Sequence, residues 1–313
     1  MDDISYFSML PEEIKKYIIS LTQNKVFDLC LINQYFNDNC KIIKIVDNFE
    51  HPKITNIILK SLINLTSLDL YNNEIITDIG IKTLINLNSL SLMCNKIITD
   101  KGIKNLTNLT SLNLFNNDII TDEGIKELIN LTSLGLVCNK KITDKGIKGL
   151  TNLTSLNLES NDSIITNEGI KILTNLTSLN LIFNNIITDD GIKGLIKLNS
   201  LNLSFNDIVT DEGIKGLFNL VSLDLSCNQI ITDEGIKNLI NLTSLILYGG
   251  NMITNEGTNK LTNLTSLNLS CNEIITDEGI KGLTNITSLN LSRNEKITDE
   301  GIKGLINLKN LVR

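Results

Sequence analysis

Tryptophan is absent from the 313 residues, proline occurs twice and histidine once, and aromatics make up only 4%. Without large rings, Leu and Ile must do the packing within a 42% apolar share that is ordinary for a globular chain. The one histidine, His51, stands without partners for a catalytic or metal-binding set, so a structural role is expected for it. No CxxC or HxxxH spacing offers a metal site, and no Gly-rich loop offers a phosphate cradle. Asp and Glu recur around an outer surface and are not paired in a cleft. These absences argue against an enzyme and for no catalytic residue, metal or cofactor. Basic residues are also in the minority, 28 against 35 acidic, for a net charge of −7. A general nucleic-acid-backbone binder needs a basic footprint that this balance lacks. The N-terminal stretch has no basic segment followed by a long apolar run, so neither a signal peptide nor a membrane span is expected.

What the chain has in abundance is repetition. Leu264–Leu283, completed by Thr284 and Asn285, is one unit of 22 residues. A fixed period in this range marks a solenoid, which grows by adding units and not by enlarging one core. The Leu opening each L-x-L core stands at Leu68, Leu90, Leu112, Leu134, Leu156, Leu179, Leu201, Leu223, Leu245, Leu267, Leu289 and Leu311. Every step is 22 except that from Leu156 to Leu179, which is 23, with the extra residue in Asp162-Ser163. Three regions result: a helical bundle over 1–40, a degenerate capping repeat over 41–64, and a regular array over 65–313. In the capping repeat Ile54-Thr55-Asn56 falls one period before Ile76-Thr77-Asp78, and Val46 takes the strand position of Leu68.

Within one unit, Leu267 and Leu269 alternate with polar residues, as a strand facing a core requires. Asn272 follows, placed to bond backbone groups that a curving chain leaves unpaired; Gly250 breaks this Asn ladder, with Asn251 just after it. Asp277 is the expected N-cap of a short helix with Ile280 and Leu283 on one face, and Glu278 and Lys281 form an outward solvated pair. Strand, turn, short helix and return make a right-handed parallel coil. Strands are narrower than helices, so the strand side should be concave. Twelve strands at ~4.8 Å spacing span about 50 Å. Cys94 and Cys138 lie two repeats apart, as do Cys227 and Cys271. That puts each pair ~10 Å apart, too far for a disulfide. Free thiols imply a reducing cytoplasmic or nuclear compartment, with Cys30 and Cys40 the remaining two of the six cysteines, and the N-x-[ST] triplets are incidental.

The pattern L-x-x-L-x-L-x-x-N resembles the leucine-rich repeat. Asn228 through Ile236, with Ile231-Thr232-Asp233 at its centre, is similar to the cysteine-containing subclass, although that subclass has Cys where this chain has Asn, and longer repeats. The resemblance implies an α/β leucine-rich-repeat solenoid, with a curved parallel sheet inside and short helices outside. Repeats differ most at the two positions after the second strand Leu. Tyr71, Met93, Phe115 and Val137, extended by Phe183 and Phe205, put large apolar side chains on the outward strand face and are the expected partner-binding patch. Drift among tolerated residues, or cover from the bundle, are the alternatives.

The bundle carries Leu10-Pro11-Glu12-Glu13-Ile14, then Ile18, and later Ile32-Asn33-Gln34-Tyr35-Phe36. This resembles an F-box, although Lys15 stands where that family has an aliphatic. The resemblance implies docking on the Skp-type adaptor of a cullin-RING ubiquitin ligase through Leu10, Pro11, Ile14 and Ile18, with the repeats holding a protein substrate. A helical cap sealing an interaction scaffold or inhibitor is the other reading. The final Leu308–Arg313 shows no cap in sequence, so self-association through an open strand edge is a further expectation.

Overall fold

The computed structural model describes residues 42–44, 56–160 and 164–313. The expected bundle with Leu10, Pro11, Ile14 and Ile18 lies outside these, as do Cys30, Cys40, Val46, His51 and the inserted Asp162-Ser163. The chain divides into two compact units, Met1–Leu131 and Thr132–Arg313.

In the first unit four described strands, β1 (Ile42–Lys44), β2 (Ser67–Asp69), β3 (Ser89–Ser91) and β4 (Ser111–Asn113), pair in parallel and in chain order. The register puts Leu68 beside Leu90 and Leu90 beside Leu112. One expectation is corrected here. Ile43, and not Val46, is the partner of Leu68. The degenerate first repeat is therefore three residues longer than the period. Helices α1 (Asn56–Ser61), α2 (Asp78–Ile81), α3 (Asp100–Ile103) and α4 (Asp122–Ile125) alternate with the strands. All but α1 are single turns, too short to stand without tertiary packing.

The repeat from Leu90 shows why the pattern folds this way. Leu90, Leu92, Ile98, Ile103, Leu106 and Leu109 are all essentially inaccessible to solvent. Each contributes about 1.5–3 kcal/mol by burial. Asn95, fully buried among them, uses its whole carboxamide. Its Oδ1 accepts from the N–H groups of Ile97 and Ile98 at 3.0 and 2.9 Å, and its Nδ2 donates to Asn73 O at 2.9 Å and Leu70 O at 3.3 Å in the preceding repeat.

A second ladder runs along the helix turns, and it corrects the expected N-cap. Thr, and not Asp, occupies that position: Thr99 precedes α3, and its hydroxyl accepts from Lys101 N–H. Asp is the first helical residue, and its carboxylate serves the next repeat. Asp78 Oδ1 accepts from Thr99 N–H at 2.8 Å and Oδ2 from the Thr99 hydroxyl at 2.6 Å. The same holds at Asp277, which binds Thr298. Where Asn replaces Asp, at Asn56, Asn167 and Asn255, the carboxamide N–H donates to the next Thr hydroxyl. Those three threonines, Thr77, Thr188 and Thr276, make no capping bond to their helices. A hydroxyl already accepting from the amide is turned away from the helix N–H. The glycine of each I-T-D-x-G-I segment follows from this ladder: a Cβ on Gly102 would lie 2.6 Å from Asp78 Oδ1.

The second unit repeats this arrangement over nine parallel strands, from β5 (Ser133–Gly135) to β13 (Asn310–Val312). Between them lie β6 (Ser155–Asn157), β7 (Ser178–Asn180), β8 (Ser200–Asn202), β9 (Ser222–Asp224), β10 (Ser244–Ile246), β11 (Ser266–Asn268) and β12 (Ser288–Asn290). Leu156 pairs with Leu179, so the 23-residue step leaves the strand register intact. The repeat from Leu245 departs most. Gly250 replaces the ladder Asn, and Asn251, 5% exposed, turns its Nδ2 to Leu247 O and Gly249 O of its own repeat. Thr258 takes the place of a buried Ile, and its hydroxyl donates to Gly279 O at 2.9 Å.

Candidate partner-binding surface

The strands of both units present mostly polar side chains between the buried leucines. From β2 to β12 each strand presents Ser, a buried Leu, then usually Asn or Asp, and that Asn or Asp has a structural task. Asn113 Oδ1 accepts from Phe115 N–H at 3.0 Å, Asn180 Oδ1 from Ile182 N–H at 3.0 Å, and Asp69 Oδ1 from Tyr71 N–H at 3.1 Å. These bonds close the chain over the strand end and fix where the next two side chains point.

In the first unit this fixes Tyr71 and Phe115, which flank Met93. Their backbones are tied together, Asn72 N–H donating to Met93 O and Cys94 N–H to Phe115 O, both at 2.9 Å. Tyr71 is 41% exposed, whereas Met93 and Phe115 are half-buried. Beneath them, Ser91 stands where most repeats have Asn or Asp, and its buried hydroxyl has no partner among the described residues.

Val137, Phe183 and Phe205 belong to the second unit. Val137 is half-buried. Phe183 and Phe205 sit one position later in the repeat than Tyr71 or Val137, in a column where the backbone is left-handed in every described repeat. Both have φ +53°. Asn72, Cys94, Asn116, Cys138, Ser160, Cys227, Gly249, Cys271 and Arg293 fill this column elsewhere. Left-handed backbone is uncommon outside glycine and is costlier still for a bulky residue. The rings are nonetheless 47% and 41% exposed and stack on each other, with centroids 4.5 Å apart and planes 18° from parallel. The large side chains therefore occupy two columns: the left-handed one holding the stacked pair, and its neighbour holding Tyr71 and Val137.

Carboxylates lie on the same face. Glu159 Oε2 accepts from Asn180 Nδ2 at 3.4 Å, and Asp224 Oδ2 from Asn202 Nδ2 at 3.3 Å. The described lysines that form ion pairs do so elsewhere, with an acid three residues earlier on the helix turns, as in Glu212–Lys215 and Glu234–Lys237. In the pair Asp190–Lys193 the side-chain hydrogen bond raises the pKa of the Lys193 ammonium and lowers that of the Asp190 carboxyl relative to their ordinary ranges. The four described cysteines are free, and burial, aided by Asp224 and Cys271, pushes the Cys227 thiol up. No group of three or more potential metal ligands occurs among the described residues. Nor is any described helix long and apolar enough to cross a membrane.

Two features lie outside the patch expected from sequence. Tyr248, whose place in the column that carries Tyr71 was readable, is 41% exposed and adds a large side chain there. Ile196, Phe218 and Ile240 form a column on the return segment, each more than half exposed. Their signal was available: they recur at one repeat position where Thr107, Thr151 and Thr262 stand elsewhere.

The profile of the family described as Leucine Rich repeat matches ten segments: 61–85, 83–106, 105–128, 128–150, 149–171, 173–196, 194–218, 216–240, 260–284 and 282–305. The chain belongs to this family. Residues 241–259, the aberrant repeat, are the one long stretch skipped inside the array. Among solved structures, the chain is similar to an internalin (inlF) from Listeria monocytogenes, with 26% identity, a TM-score of 0.61, and 92% of this chain and 93% of that one covered. It is also similar to a leucine-rich-repeat protein of Leptospira interrogans, with 25% identity, a TM-score of 0.57, and 88% and 84% covered. Comparison with curated proteins gives no match.

Proposed function

We propose that the chain is a protein-interaction scaffold that binds its partner through the strand face, at Tyr71, Met93 and Phe115 in the first unit and at Val137, Phe183 and Phe205 in the second. The observation that carries this reading is the exposed, stacked Phe183–Phe205 pair on left-handed backbone. Two bulky rings at a position that elsewhere takes small, polar or Gly residues add cost to the fold, and such local cost gathers at functional sites. Aromatic side chains in a well-packed centre are the usual anchors of protein interfaces. Phe205→Asp and Met93→Asp test it, with partner binding by calorimetry as the readout. Each should cost tenfold or more in affinity, and unchanged binding by both would exclude this face.

The finer reading is a substrate-recognition subunit of a cullin-RING ubiquitin ligase, in the cytoplasm or nucleus. Its support is the order of the chain: the F-box-like Leu10-Pro11-Glu12-Glu13-Ile14 and Ile18 precede the repeats. A Skp-type adaptor would dock on Leu10, Pro11, Ile14 and Ile18. Co-purification with that adaptor, lost on Pro11→Ala with Ile14→Asp, is the expected result. No co-purification would leave the scaffold reading with a helical cap.

A further inference from the structure

Taking the strand face as the partner-binding surface, we propose that the second unit seats a cationic segment: an extended peptide whose arginine or lysine lies against the Phe183–Phe205 pair between Glu159 and Asp224. The placement comes from four consecutive strands, β6 to β9. Glu159 follows the first, and its carboxylate leans onto Asn180 of the second. Asp224 ends the fourth, and its carboxylate leans back onto Asn202 of the third. The two acids thus flank, one from each side, the repeats that carry Phe183 and Phe205. Neither forms an ion pair within the protein among the described residues, and from Ser155 to Gly249 the strand face carries no Lys or Arg, since the lysines of these repeats lie on the helix turns and return segments. A face with two uncompensated carboxylates around exposed rings complements a cation with an apolar stem. Ring faces attract guanidinium and ammonium groups, arginine above all, and the flanking acids supply the countercharge. Tyr248, one strand further, offers an exposed ring for a neighbouring apolar residue of the same segment.

The test is a random dodecapeptide display library panned on the full chain, with enriched peptides measured by fluorescence anisotropy. The variants are chosen to keep the fold. Asp224→Asn introduces the residue already present at Asn202 and Asn268, and Phe183→Asn and Phe205→Asn introduce the residue present at Asn72 and Asn116. Glu159→Gln removes charge at constant size. Enriched peptides should carry Arg or Lys beside an apolar residue. They should bind at least tenfold more weakly to Glu159→Gln/Asp224→Asn, and lose affinity as salt rises. Peptides that depend on Phe183 and Phe205 but are indifferent to both acids would overturn the cationic assignment and leave the docking face standing. No enriched peptide, or none sensitive to Phe183→Asn/Phe205→Asn, would overturn both.

Discussion

Two neighbouring repeats solve the same folding problem differently. In the repeat from Leu223, Asn228 is fully buried and its carboxamide is tied to Leu203 O and Asn206 O of the preceding repeat. Ile236 fills the core, and Lys237 pairs with Glu234 outside. In the repeat from Leu245, Asn251 bonds within its own turn, Thr258 replaces the core Ile, and Asn259 replaces the paired Lys. The strand of the second repeat keeps its register regardless, Leu245 standing between Leu223 and Leu267. The difference shows that strand pairing and Leu burial hold the array in phase, while the Asn ladder adds stability that one repeat can forgo in part. In a solenoid each repeat leans only on its neighbours, so this repeat is the expected weak point.

Breaking the ladder at each place sharpens the contrast most. Asn228→Ala strips partners from three buried backbone groups and one part-buried one, and should cost about 3 kcal/mol or more in urea unfolding. Asn251→Ala, beside the exposed Gly250 where water can substitute, should cost about 1–2 kcal/mol. Equal losses would mean that the two amides do equivalent work. Glycine gives the next contrast. A Cβ on Gly235 would sit 2.5 Å from Asp211 Oδ1, the acceptor for Thr232 N–H. Gly235→Ala should therefore cost about 2–3 kcal/mol. Gly250 has open space around it, so Gly250→Ala should be neutral or stabilise by up to about 1 kcal/mol. Restoring the core with Thr258→Ile should raise stability by about 1 kcal/mol, since it buries more apolar surface than the hydroxyl bond offsets. A lower thermal midpoint would show instead that the bond to Gly279 O outweighs packing. The smallest effect belongs to the exposed Glu234–Lys237 pair: Glu234→Gln should change stability by only a few tenths of a kcal/mol, and less at high salt.

The period, the buried Leu and Ile positions and the Asn ladder were legible because every repeat meets the same burial requirement within 22 residues. The exposed pairing of Glu278 with Lys281 was legible for the same reason, since helical spacing is a local rule. Asp277 was misread as a cap because its carboxylate acts 21 residues away, on Thr298, which local capping rules do not reach. Val46 was misplaced because a degenerate repeat need not keep the period, and the pairing of Ile43 with Leu68 depends on the neighbouring strand. Among the candidate binding residues, column position was readable, but exposure was not: Tyr71 and Phe183 stand out while Met93 and Val137 are half-buried.

The sequence by itself determined a leucine-rich array and its phase, because burial of Leu and Ile at fixed spacing admits few other arrangements. Only the tertiary structure decided what the remaining residues do. It turned Asp and Thr into a ladder between repeats, brought side-chain oxygens to within reach of where a Cβ would stand on glycines such as Gly102 and Gly235, and set Phe183 and Phe205 on left-handed backbone in a single stack. Those outcomes depend on side chains about one repeat apart in sequence meeting across a strand spacing of about 5 Å, a distance that exists only once neighbouring turns have packed.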